Sequence, residues 1–331
     1  MRTASLLATM ALCVWLTACS DTSRPPVLAI TADTATPAVT QADPGAAAPR
    51  VALIMKTLTN PFFVQMEQGA RRAQKESHVD LLVKTATQET SIEQQIQLVE
   101  QEIQSHAKAI VIAPGDSMRL VPVLKKAQDA GMHIVNIDNR LSAEAMAAVD
   151  MKPVPFISVD NEKGAYQVAK FLADPVRHAT EAAVIEGIRS ANNAQQRKRG
   201  AERAFNENPH LRTVAMETAN WKIDEAYEVA KRIFKTHPNI GVVFCANDMM
   251  AIGVLKYLQE VGNTQVQVAG FDALEEAKTA IRAGQLSATV DQQASQQGYL
   301  GVMTALQLLK GQPQPLELEV EATLVTAQTL K

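Results

Sequence analysis

Between Val51 and Val290 the chain repeats one motif: a short, unbroken apolar run followed by a stretch with helical spacing. This alternation constrains the fold more than any other feature. The runs are Val51–Met55, Leu81–Val83, Ala109–Ala113, Ile134–Ile137, Phe156–Val159, Ala182–Ile185, Thr213–Met216, Val242–Cys245, Val266–Ala269 and Ala288–Val290. A strand with one wet face alternates apolar and polar residues, whereas a continuous run suits a strand covered on both faces. The segments between carry apolar residues at spacings of three and four. Ile92, Ile96, Val99 and Ile103 form one such stripe, and Ala251, Val254, Leu255 and Leu258 another. Strand–helix alternation implies parallel sheets with helices on both faces, an α/β fold. Ten strands fit two doubly wound parallel-sheet lobes of about five strands each better than one large sheet. With 331 residues the chain suffices for two such lobes but hardly for three domains.

The N-terminus lies outside this pattern. Arg2 precedes an apolar stretch from Leu6 to Leu16, too short for a stable membrane span but suited to a signal peptide over residues 1–18. Leu16-Thr17-Ala18-Cys19 resembles a bacterial lipobox, which makes Cys19 the lipidated first residue of the mature chain. The alternative is an ordinary secretory signal with an incidental cysteine. Ser20 to Arg50 is rich in Ala, Thr, Pro and Asp with no apolar face, so it cannot bury enough surface to order itself. Residues 19–50 therefore read as lipidated Cys and flexible tether, with a coil dimension of about 30 Å. The expected location is the periplasm, anchored to a bacterial membrane. Ser20 after the cysteine favours the outer membrane in a Gram-negative host. Cys13 leaves with the signal, and Cys245 lies in an apolar run with no neighbouring base, so it reads as core rather than nucleophile.

Composition excludes several classes. The net charge is −3 and Lys and Arg are scattered, which gives no footprint for nucleic acid. His78, His106, His133, His178, His210 and His237 fall in unrelated segments without metal-ligand spacing, so neither a metal nor a cofactor is expected. No nucleophile elbow, HExxH, P-loop or GxGxxG is present.

In doubly wound sheets a ligand sits beyond the carboxyl ends of the strands. There the chain places Asn60-Pro61-Phe62-Phe63, Asp138-Asn139-Arg140, Asp160-Asn161, Asn247-Asp248, Phe271-Asp272 and Gln292. In a chain with only 4% aromatics, such clustering of acids, amides and rings is notable. Asn60 and Pro61 also make a good helix start. Two adjacent aromatics cannot both face one helix's core, so one of Phe62 and Phe63 should face the cleft. Asp138 and Asp272 are either helix caps or ligand contacts. Of Asn247 and Asp248, the first is the better contact and the second the better cap for a helix from Met249.

Three stretches in order, Thr59-Asn60-Pro61-Phe62-Phe63, Phe244 to Gly253, and Val268-Ala269-Gly270-Phe271-Asp272, resemble the periplasmic sugar-binding proteins of the ribose-binding type. These have the type I periplasmic fold, shared with the lactose-repressor family. The resemblance runs from about Val51 to the C-terminus. It implies a first lobe of 51–159 plus 292–320 and a second of 160–291 plus 321–331. They would be joined by a three-strand hinge near Val159-Asp160, Asp291-Gln292 and Glu319-Glu321. It further implies ligand contacts from Asn60, Phe62, Phe63, Asp138 and Arg140 on the first lobe, from Arg197, Trp221, Asn247 and Asp272 on the second, and from Gln292 at the hinge. A sugar's apolar face would stack on Phe62 and Trp221, and its hydroxyls would pair with carboxylate, amide and guanidinium groups.

The chain departs from the family pattern in three places. Asn139 stands between Asp138 and Arg140, so either it or Arg140 takes the family's arginine position. Leu141 to Pro155 is longer and is expected to reshape the rim. Arg189-Ser190-Ala191-Asn192-Asn193 adds Asn192 or Asn193 as further contacts. These differences speak against ribose itself.

The expected function is an exported, monomeric solute-binding protein, not an enzyme. It would carry a monosaccharide or similar polyol to an inner-membrane ABC permease, or present it to a chemoreceptor or sensor. The alternative is a periplasmic glycosidase using Asp138 and Asp272 across the cleft. Arginine partners should instead keep such carboxylates ionised. A repressor would need a helix-turn-helix before Val51, where the chain has a signal and tether.

Overall fold

A computed structural model describes residues 48–330. The signal segment, Cys13, Cys19 and nearly all of the tether lie outside the described residues. Arg50, expected in the tether, instead opens the first strand, where its guanidinium pairs with Asp80 at 2.8 Å.

The chain runs β1 (Arg50–Met55), α1 (Pro61–Ser77), β2 (Asp80–Thr85), α2 (Ile92–Gln104), β3 (Ala109–Ile112), α3 (Val121–Asp129), β4 (His133–Ile137), α4 (Ala143–Ala148) and β5 (Phe156–Ser158). It continues through α5 (Asn161–Ala173), β6 (Thr180–Glu186), α6 (Asn192–Asn206), β7 (Leu211–Thr218), α7 (Ile223–Thr236), β8 (Ile240–Cys245), α8 (Asp248–Glu260), β9 (Gln267–Ala269), α9 (Glu275–Arg282) and β10 (Ala288–Asp291). Helix α10 (Ala294–Leu309) and strands β11 (Glu317–Glu319) and β12 (Thr323–Thr326) close the fold. Every apolar run became a strand.

The strands form two sheets, ordered β11-β5-β4-β3-β1-β2 and β12-β10-β9-β8-β6-β7. All pairs are parallel except β10 with β12. Each sheet therefore has six strands rather than about five. The two extra strands lie at sheet edges and are short: in β11 Glu317 and Glu319 are exposed and Leu318 half-buried, and in β12 only Val325 and Thr326 are buried. The chain passes from the first sheet to the second between β5 and α5, returns between β10 and α10, and crosses again between β11 and β12.

Both faces of the first sheet are covered, as continuous runs require. Ala52, Ile54, Ile110 and Ile112 share one core with Ile92, Val99, Val121 and Leu124. Val51, Leu53, Met55 and Val111 face the other way, into a core with Phe63, Met66 and Val302. Helix α10 returns to the first lobe across a seam whose closest approaches are at glycines. A Cβ on Gly69 of α1 would stand 1.7 Å from Ser295 O, and one on Gly298 would stand 2.0 Å from Met66 O.

Candidate functional site

Loops at the carboxyl ends of both sheets converge on one small cavity. It is lined from the first lobe by Lys56, Asn60, Phe62, Phe63, Glu89 and Asp138. From the second lobe and the hinge come Asn193, Arg197, Trp221, Asn247, Asp272 and Gln292. All of these side chains are buried.

On the first lobe, Asn60 does two jobs. Its Oδ1 accepts from Phe62 N, capping α1, while its Nδ2 donates to Glu89 Oε1 at 2.9 Å. The Phe62 and Phe63 rings meet edge-on, with centroids 5.0 Å apart, and both line the cavity rather than one. Lys56 Nζ lies 2.9 Å from Asp138 Oδ2 and 3.9 Å from Glu89 Oε2. Burial pushes the Glu89 carboxyl above its ordinary range, against the pull of Lys56 and Asn60.

On the second lobe, Arg197 is the centre. It donates to Asn161 Oδ1 and Ala246 O, both at 2.8 Å, and to Gln292 Oε1 at 3.2 Å. Its guanidinium lies 3.9 Å above the Phe271 ring and 3.7 Å from Asp272 Oδ1. Gln292 Nε2 in turn donates to that same Asp272 oxygen at 2.5 Å. Burial pushes the Asp272 carboxyl well up, even though Arg197 pulls it down. The arginine partner expected for a cleft acid is present, and burial opposes its pull on the carboxyl. Trp221 lies over Gly187, where a Cβ would come within 2.0 Å of its ring. Its Nε1 and Asn193 Oδ1 are buried without a hydrogen-bond partner among the described residues. Asp138, Trp221 and Asp272 hold φ at 61°, 68° and 128°, a backbone strain that clusters at functional sites.

The structure does not bring Arg140 to the cleft. It forms a bidentate pair with Glu317 and stacks 4.0 Å above Phe156, since β11 presents a carboxylate beside it. Asn139 is buried but bonds Pro114 O and Ser117 instead of lining the cavity. Nor does the stretch from Leu141 to Pro155 shape the cavity. Leu141, Met151 and Val154 pack into the first lobe's core.

Asn247, not Asp248, caps α8: its extended backbone lets Oδ1 accept from Met250 N at 2.9 Å. Asp248 is fully buried and accepts from Thr289 Oγ1 and Leu274 N, at 2.7 and 2.8 Å. Burial raises its carboxyl to about 6. Neither Asp138 nor Asp272 is a cap, as Ser142 and Leu274 occupy those positions for α4 and α9. Arg199 turns outward to Glu162, leaving Arg197 in the cleft. Cys245 is fully buried in β8, with its thiol pushed well up by burial.

Lys56 and Glu89 escaped sequence reasoning. Both were open to it, because each follows an apolar run at a carboxyl end, Val51–Met55 and Leu81–Val83. A lysine or glutamate there otherwise reads as solvated surface. Among the described residues, no group of three or more His, Cys, Asp or Glu is placed to hold a metal ion.

What the arrangement can do is bind. It offers three aromatic rings, two cations and three carboxylates around one small cavity. Residues 51–313 match the family described as periplasmic binding protein domain. The chain is 40% identical over 287 residues to a D-ribose/D-allose-binding protein of Pseudomonas aeruginosa, covering 84% of this chain and 89% of that one. It is 32% identical over 282 residues to the D-allose-binding periplasmic protein of Escherichia coli, with 84% and 91% covered. An ABC transporter solute-binding protein from Actinobacillus succinogenes, solved with bound D-allose, superposes with a TM-score of 0.81 at 36% identity. That match covers 85% of this chain and 99% of that one.

Proposed function

From the premise that this chain belongs to the periplasmic binding protein domain family, we propose that its cleft captures an aldose of the ribose or allose kind. The chain is a sugar-binding protein of ABC transport, taking its ligand between two lobes. The glycosidase alternative finds no support, because the relatives are binding proteins of transport systems.

The observation that carries this reading is the convergence of Phe62, Phe63 and Trp221 with Lys56, Asp138, Glu89, Arg197 and Asp272 around one cavity. Ring faces match the C–H face of a pyranose or furanose, and each hydroxyl both donates and accepts. The unpartnered Trp221 Nε1 and Asn193 Oδ1 supply a further donor and acceptor. We assign ligand contact to the cavity-lining residues and exclude Arg140. The lobes are taken as 51–159 plus 292–320 and 160–291 plus 321–331. The protein would release its ligand to an inner-membrane permease as a monomer, without chemistry.

A thermal-shift panel of D-ribose, D-allose, other aldoses, polyols and cyclitols tests the ligand. At a hundred times Kd a true ligand adds about 2.7 kcal/mol of stability. A flat response to every sugar would sink the reading, and a response to cyclitols alone would redirect it. Membrane anchoring through Cys19 is a separate proposal, resting on the Leu16-Thr17-Ala18-Cys19 pattern. Cys19→Ala should move the protein out of the membrane fraction, and unchanged fractionation would refute the anchor.

A further inference from the structure

Four hydrogen bonds join the lobes through loops other than the three crossovers. Ser117 N donates to Ser190 O at 3.2 Å. Asn192 N donates to Ser117 Oγ at 2.9 Å, and Asn193 N to Asn139 Oδ1 at 3.1 Å. Asn193 Nδ2 reaches Asp138 Oδ1 at 3.3 Å.

Two of these donors are the first backbone N–H groups of α6, which no residue of the helix itself can satisfy. Ala191, at the N-cap, offers no side-chain oxygen. The cap comes from the opposite lobe. There the two acceptors are held in place by bonds within the first lobe. Asn139 Nδ2 donates to Pro114 O at 3.0 Å and Ser117 Oγ at 3.2 Å, and Asn136 Nδ2 donates to Asn139 O at 2.8 Å. Ser117 O accepts from Ser142 N at 2.7 Å. Asn193 and Arg197, one helical turn apart on α6, both line the cavity.

We propose that Ser117 and Asn139 are positioning residues that cap α6 in trans only when the lobes are closed, holding Asn193 and Arg197 against the ligand. This rests on the sugar-binding reading of the cleft. With the lobes apart, the α6 N–H groups turn to water. The cap therefore adds stability to the closed state alone and acts on ligand departure more than on encounter.

The test measures association and dissociation of D-allose and D-ribose by stopped flow. Ser117→Ala should speed dissociation roughly two- to thirty-fold, the worth of a helix cap, with association unchanged. Ser117→Thr keeps a hydroxyl and should restore the slow rate. Asn192→Pro removes the same bond from the other lobe. Proline suits the first helical position, and the extended Ala191 (φ −91°, ψ 129°) accommodates a following proline. The double variant should lose no more than the larger single one, a coupling that unrelated structural damage in two loops would not produce. Unchanged dissociation in both single variants, or additive effects, overturns the proposal. Spin-label distances, one label per lobe, give a reading without sugar: both variants should shift toward the open form. If neither sugar binds the wild type, the ligand reading falls and these distances alone decide; unchanged distances overturn the latch.

Discussion

Arg197 shows how one side chain ties a lobe's polar groups together. Its bonds to Asn161, Ala246 and Gln292 fix the guanidinium plane between Phe271 and Asp272. Arg197→Ala would leave Asp272 buried without its cation, a loss of roughly 3–5 kcal/mol in comparable pairs. Sugar affinity should then fall by about two to four decades. Arg140→Ala is the control, because its exposed pair with Glu317 is worth at most about 1 kcal/mol. Calorimetric titration of both variants decides the assignment. Sugar binding lost with Arg140 and kept without Arg197 would reverse it.

At the scale of elements, the periodic signals were reliable where both faces are covered and silent at the edges. Strands β1 and β3 are buried almost throughout and were plain in the sequence. Strands β11 and β12 were not, since an edge strand of three or four residues needs neither a run nor strict alternation. The seam between α1 and α10 was likewise invisible, because glycine carries no hydropathy signal for close helix approach. Gly298→Ala forces backbone apart in that seam and should cost about 1–3 kcal/mol, read as a lower urea midpoint. A midpoint matching the wild type would mean that the helices separate freely.

At the scale of the whole molecule, function follows from two sheets that share three chain crossings and one cavity. The lining residues come from both lobes, so a ligand touching all of them requires closure. Small-angle scattering should therefore show a smaller radius of gyration at saturating sugar than without it. An unchanged radius would place binding on one lobe alone. The four bonds between the loops at Ser117, Asp138 and Asn139 and those at Ser190, Asn192 and Asn193 are lost when those loops part.

What the sequence by itself determined was the class of fold and most of the cavity. Continuous apolar runs specify strands covered on both faces, and in doubly wound sheets the residues after those strands must face the ligand crevice. That logic reached Asn60, Asp138, Asn247, Asp272 and Gln292 from order along the chain. Only the tertiary structure decided choices between neighbours and the use of unexpected charges. Asn247 caps α8 while Asp248 goes inside, because Thr289 and Leu274 lie where Asp248 can reach them. Arg140 stays out of the cavity because β11 brings Glu317 beside it. Lys56 and Glu89 stay buried because Asp138 and Asn60, distant in sequence, neutralise and bond them. Partners from other segments set each outcome, and local pattern carries no record of where a distant carboxylate will stand.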